Sequence, residues 1–129
     1  MVGRRGSDAF AAVTRAALEL SEGEFAAQVC EAAELLGWQW LHIRPGRTAH
    51  GWRSPISGPL GHGWPDLLLT RERDGRVVLA ELKSNAGVVS PEQIRTLEYL
   101  RSVARRRPGT ITVAVWRPID FDAIVEILT

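Results

Sequence analysis

Residues 64–84 read WPDLLLTRERDGRVVLAELKS. Two apolar runs, LLL at 67–69 and VVLAEL at 77–82, flank a polar stretch that ends in Asp74-Gly75. Asp-Gly between such runs is a hairpin signal. The spacing therefore predicts a strand over 66–71 that returns as a strand over 76–83. Strand side chains alternate faces, so Glu81 and Lys83 point the same way. A two-residue turn at Asp74-Gly75 pairs Arg73 with Arg76. It sets Asp66 opposite Lys83 and diagonal to Glu81. Diagonal neighbours lie about 7–8 Å apart, within reach of one shared ion. A slip of one residue would move Asp66 to the other face.

Apart from Glu81 the two runs are apolar, so both strands read as buried on both faces. Charges at the ends of such strands are costly unless something compensates them. The plainest compensation is a salt bridge between Asp66 and Lys83 on a wet strand end. The richer one is a divalent cation. Two carboxylates, joined by the backbone carbonyl of Leu82, can hold Mg²⁺ or Mn²⁺ while leaving positions for water and a phosphate. Lys83 then orients the water or neutralises charge that develops on the phosphate. That set is what phosphodiester hydrolysis requires, with Asp66, Glu81 and Lys83 as its catalytic residues.

The flanking sequence supplies the rest of an α/β fold. Residues 8–19 have a helical pattern, with Ser7 or Asp8 as its cap. A second helix is expected over about 22–36, with an apolar stripe of Phe25, Val29, Ala32, Ala33 and Leu36. Ser21 would cap it, with Glu24 completing a capping box, and Gly37 would end it. Residues 38–43, WQWLHI, read as a strand. Residues 44–63 are rich in Gly, Pro, Ser and His and read as one long loop, a length more often functional than not. A loop over 84–89 leads to Ser90, the cap of a helix over about 91–106 with Pro91 in its first turn. Residues 111–116 form a strand, Pro118 breaks it, and Asp120 caps a last helix to Leu128. The helix between the last two strands implies a crossover, hence a mixed sheet flanked by helices.

Composition bounds the class. At 129 residues the chain fits one domain, 1–129, with 1–20 as an N-terminal helical extension. It is 45% apolar and 24% charged, as a soluble globular domain should be. Cys30 is the only cysteine, which excludes an internal disulfide and fits a reducing cytoplasm. No apolar run reaches the length of a membrane span. The opening MVGRRGSDAF has two arginines but no apolar core, so no export signal is expected. Net charge is only +1, short of the strongly basic balance of a nucleic-acid coat. Lys83 is the only lysine. The arginines cluster, at Arg44, Arg47 and Arg53 and again at Arg101 and Arg105–Arg107, where they suit phosphate or the C-terminal dipole of a helix. Trp52 and Trp64 flank the long loop and are candidates for stacking on bases. Trp38, Trp40 and Trp116 suit packing. His42, His50 and His62 are too widely spaced for a zinc set.

GWPDLLL at 63–69, AELKSNAGVVSPEQ at 80–93 and VAVWRP at 113–118 together resemble the PD-(D/E)xK nuclease superfamily. Within it they are similar to the small VRR-NUC proteins of phages and bacteria, which are like Holliday-junction resolvases. The resemblance spans roughly residues 22–128. It implies a restriction-endonuclease-like core with a four-stranded mixed sheet, αβββαβ. Asp66 and Glu81 would be metal ligands, Lys83 the catalytic lysine, and Gln93 a further site residue on the following helix. The resemblance also supplies an acid from the first core helix. Glu22 is in phase with the buried stripe, whereas Glu24 already has a capping role; Glu22 is preferred and Glu24 stays as the alternative. The expected function is a Mg²⁺- or Mn²⁺-dependent DNA endonuclease directed to branched or junction DNA. It would act in the cytoplasm of a phage-infected or bacterial cell, with no organic cofactor and no membrane. A homodimer fits symmetric cutting of two strands. The alternative is a nuclease fold that binds DNA without cutting it.

Overall fold

The computed structural model describes residues 20–44, 46–48, 51–53 and 56–129. The helix expected over 8–19 lies outside them. The chain runs through α1 (Glu22–Leu35), β1 (Gln39–His42), β2 (Gly46–Thr48) and β3 (Gly51–Arg53). A 3₁₀ turn at Gly61–Gly63 leads into β4 (Leu67–Arg71) and β5 (Arg76–Leu82). Next come α2 (Pro91–Ala104), β6 (Ile111–Trp116), a second 3₁₀ turn at Pro118–Asp120 and α3 (Phe121–Leu128). Four strands form a sheet in the order β1-β4-β5-β6, and β2 and β3 pair as a separate hairpin. β1, β4 and β5 are antiparallel neighbours, and β6 is parallel to β5. This is the restriction-endonuclease-like α/β core, αβββαβ, with a small hairpin inserted and α3 added.

α1 begins where Ser21 accepts a hydrogen bond from the Glu24 N–H. It buries Phe25, Ala26, Val29, Cys30 and Ala33. Ala26 and Cys30 were absent from the expected stripe, and Ala32 and Leu36 are only half-buried. The stripe is wide because α1 packs on the sheet and on α3 together, in one cluster with Leu67, Leu69, Val78, Ala80, Leu82, Ile124 and Leu128. Those strand residues define one face of the sheet. Alternation sends Asp66, Leu68, Leu79 and Glu81 to the other face, over which α2 crosses.

Three local expectations need correction. The hairpin turn is not two residues long. β4 and β5 pair Arg71 with Arg76 and Leu67 with Ala80, which sets Asp66 level with Glu81 instead of Lys83. Arg71 draws Asp74 into a two-bonded fork, Gly75 takes a positive φ of 66°, and the turn widens to residues 72–75. The register moves by two, an even number, so the face is unchanged. Residues 44–63 are not one loop, since β2, β3 and the first 3₁₀ turn fall within them. Asp120 does not cap α3 with its side chain. Its carboxylate accepts the Arg117 N–H at 2.9 Å and closes the 3₁₀ turn instead.

Burial on both faces holds for the second half of β5, a central strand, but not for β4, where Leu68 is half-buried and Thr70 exposed. Among the described residues, no helix is long and apolar enough to cross a membrane.

Candidate active site

Asp66 stands just ahead of β4. Its carbonyl accepts the Ile43 N–H at 2.7 Å, which ties it to the end of β1. Its side chain reaches across to β5, where Oδ1 accepts the Leu82 N–H at 2.9 Å. Glu81 is only 3% exposed. Its Oε1 accepts from Gln93 Nε2 at 3.0 Å and lies 3.6 Å from Lys83 Nζ. Glu22, at the start of α1, arrives from the other side of the sheet. The carboxylates of Glu22, Asp66 and Glu81 each offer an oxygen, and the three oxygens lie within 4.8 Å of one another.

The electrostatics of this cluster are unbalanced, with three carboxylates beside one lysine. Burial pushes the Glu81 carboxyl up to about 7, the charges of Asp66 and Glu22 add to the rise, and Lys83 opposes it. Burial also raises Asp66, against the Leu82 N–H and His42, which lower it. Buried carboxylates that repel one another favour either a proton or a cation. The donor set is all oxygen, which suits a hard cation such as Mg²⁺ or Mn²⁺. The one cysteine cannot change that. Cys30 lies on the buried face of α1 and burial raises its thiol to about 11.

The cluster forms the floor of a cleft of about 530 Å³ that also takes in Arg44, His62, Trp64, Lys83 and Gln93. Gly63 presses the rim against the start of α2. A Cβ there would collide with the Glu92 carbonyl oxygen and come within 2.7 Å of Thr96 Oγ1.

The structure thus brings together Glu22, Asp66, Glu81, Lys83 and Gln93. It does not bring Glu24, which is bonded to the Ser21 hydroxyl through both its N–H and its carboxylate. Leu82 is fully buried between Glu81 and Lys83. Gln93 has two uses. Its Oε1 accepts the Ser90 N–H in the capping box that starts α2, while its Nε2 holds Glu81. Lys83 pairs with Glu81 and not, as the salt-bridge reading had it, with Asp66. Arg105–Arg107 sit past the far end of α2, away from the cleft. His50 and the side chains of Arg47, Trp52 and Arg53 lie outside the described residues.

Two residues escaped the sequence reading. His42, weighed there only as a zinc ligand, has its Nε2 3.5 Å from Asp66 Oδ2. The alternation of WQWLHI put it on a strand, but only the β1–β4 pairing puts it beside Asp66. Arg117 Nη1 donates to the carbonyls of Ser84, Asn85 and Gly87 at 2.6, 3.3 and 2.7 Å. It fastens the loop that follows Lys83 to the end of β6. No local pattern signals a bond between residues so far apart in the chain.

A helix-flanked mixed sheet that delivers acids and a lysine from neighbouring strand ends into one cleft is the core of a restriction-endonuclease-like nuclease. The VRR-NUC domain model matches residues 9–115, and the chain belongs to the VRR-NUC family. The matched span takes in part of the expected N-terminal extension and ends within β6. No curated protein sequence matches the chain. As a nuclease domain it implies DNA as its substrate.

Proposed function

We propose that this protein is a Mg²⁺- or Mn²⁺-dependent DNA endonuclease. In this reading Asp66, Glu81 and Glu22, with the Leu82 carbonyl, hold the cation. The observation that carries it is the meeting of three carboxylate oxygens within 4.8 Å, with Lys83 Nζ 3.6 Å from one of those carboxylates. When bound there, the cation would supply a Lewis acid for the phosphate and an acidified water.

The side chains do the rest. Gln93 fixes Glu81 by one oxygen and so sets which way the carboxylate faces. Lys83 keeps a positive charge at the cleft, placed to neutralise the phosphate as negative charge builds on it. The half-buried Asp66, braced by a main-chain N–H, keeps its direction without help from substrate. The cleft of about 530 Å³ leaves room for a phosphodiester over Lys83 and the acids.

Branched or junction DNA is the substrate to try first, with two copies of the chain acting on opposite strands. The same reading makes residues 1–129 one nuclease domain with 1–20 as its extension, working in the cytoplasm of a bacterial or phage-infected cell. The test is cleavage of plasmid and synthetic four-way junctions in Mg²⁺ and in Mn²⁺ by wild type, Asp66→Ala and Lys83→Ala. Wild type should cut, and each variant should lose about 10²–10³-fold or more in rate. Variants that cut as well as wild type would defeat the assignment. A wild type that binds DNA but cuts with neither metal would leave a DNA-binding module.

A further inference from the structure

The geometry points to His42 and Arg44 as a positioning pair that orients the Asp66 carboxylate, an inference that rests on reading Asp66 as a cation ligand. Arg44 Nε donates to His42 Nδ1 at 3.1 Å. A guanidinium has no acceptor, so His42 Nδ1 must be the unprotonated nitrogen. The ring proton of His42 is therefore on Nε2, and Nε2 is the atom that faces Asp66 Oδ2 at 3.5 Å. The opposite tautomer would set a ring lone pair against the carboxylate lone pairs. Arg44 thus selects the tautomer that attracts Asp66.

The other oxygen of Asp66 is held independently, by the Leu82 N–H. One carboxylate therefore meets two strands, bonded at Oδ1 by β5 and faced at Oδ2 by His42 of β1. Both side chains are largely shielded from water, with 10% of the His42 side chain and 19% of the Asp66 side chain exposed. Nδ1 of His42 is taken by Arg44 and Nε2 carries its proton toward Asp66, so in this tautomer neither ring nitrogen offers a free lone pair to a cation. The 3.5 Å separation is longer than a formed N–H···O bond. The ring steers the carboxylate without clamping it. Partners of this kind, one layer behind a metal ligand, typically change metal affinity about 10–100-fold when removed.

The experiment titrates the full chain with Mn²⁺ alone and follows the free ion by electron paramagnetic resonance. His42→Ala and His42→Phe should weaken binding about 10–100-fold. His42→Gln keeps an N–H donor near the Nε2 position and should recover most of the affinity. Arg44→Ala should fall between wild type and His42→Ala. Melting curves in EDTA confirm that each variant is folded. Long-range ¹H–¹⁵N correlations of the His42 ring, recorded without metal, should show the proton on Nε2 in wild type and a mixture of tautomers in Arg44→Ala.

The inference is overturned if His42→Ala binds Mn²⁺ like wild type, or if His42→Gln is as weak as His42→Ala; either leaves the nuclease reading intact. A ring proton on Nδ1 in wild type overturns it whatever the metal does. A wild type that binds no Mn²⁺ overturns the metal assignment itself and the inference with it.

Discussion

The β4–β5 hairpin carries a buried charge at each end, and the two are treated oppositely. At the turn end, Arg71 is 4% exposed. Its Nη1 donates to the carbonyls of Leu36 and Leu128 at 3.0 and 2.8 Å. Its Nε and Nη2 take the two oxygens of Asp74, and Nη2 also reaches the Thr129 carbonyl. The Trp38 ring lies 4.6 Å below the guanidinium. Every N–H of that group has an acceptor, and Arg71 in turn holds Asp74 below the usual carboxylate range. At the other end, Glu81 is 3% exposed with one amide donor, one lysine and two acidic neighbours, and it is pushed up to about 7. Burial of a charge therefore does not mark a site by itself. Arg71 is saturated, so it closes a structure. Glu81 is left short of positive charge, which is what the proposed cation would supply.

The sharpest way to break this comparison is to neutralise each end. Glu81→Gln should cut about 10²–10³-fold more slowly or worse. In EDTA at pH 8 it should melt higher than wild type, because it removes a buried charge that Lys83 offsets only in part. A variant that cuts normally would make Glu81 as structural as Arg71. Arg71→Met should do the reverse. Its loss takes the Arg71 donor from the Leu36 carbonyl and leaves the Leu128 carbonyl to Trp38 Nε1 alone, at about 1–3 kcal/mol, a loss readable in urea denaturation. Its cutting rate per folded molecule should equal that of wild type. A large drop in that rate would show that the turn end also serves the site.

The smallest effect expected is a pH slope. Glu81 titrates at about 7 in the folded chain against an ordinary 4.5, so the folded state keeps a proton that the unfolded state has released. Its contribution to stability is fully present below 4.5 and is lost as pH rises through about 7. The raised Asp66 adds in the same direction. Without metal, the melting midpoint should therefore fall across this range by several degrees. Mg²⁺ should reverse the fall most at high pH, Glu81→Gln should flatten it, and Arg71→Met should leave it in place. A flat wild-type profile would remove the electrostatic contrast between the two ends.

Much of the site was legible because it rests on local rules. Period-two alternation put Asp66, Glu81 and Lys83 on one face, and the conclusion survived a wrong turn length because the register error was even. The phase of Phe25 and Val29 separated Glu22 from Glu24, and the Ser90-x-x-Gln93 spacing carries the cap that α2 uses. Other features were not legible. The turn widened because Arg71 reaches Asp74, a preference of side chains that the Asp-Gly signal does not contain. Asp120 turned back to Arg117 because the 3₁₀ turn brought that N–H within reach. His42 and Arg117 gained their roles from strands paired across long stretches of chain.

The sequence by itself therefore determined the helices and strands of the core, their faces and the acids and lysine they carry, since periodicity and capping act between neighbours in the chain. Only the tertiary structure decided that Glu22 meets Asp66 and Glu81, that His42 backs one of them, and that Arg71 is satisfied where Glu81 is not. Those outcomes depend on which partners converge when distant segments pack, and on how much compensation each buried charge then finds.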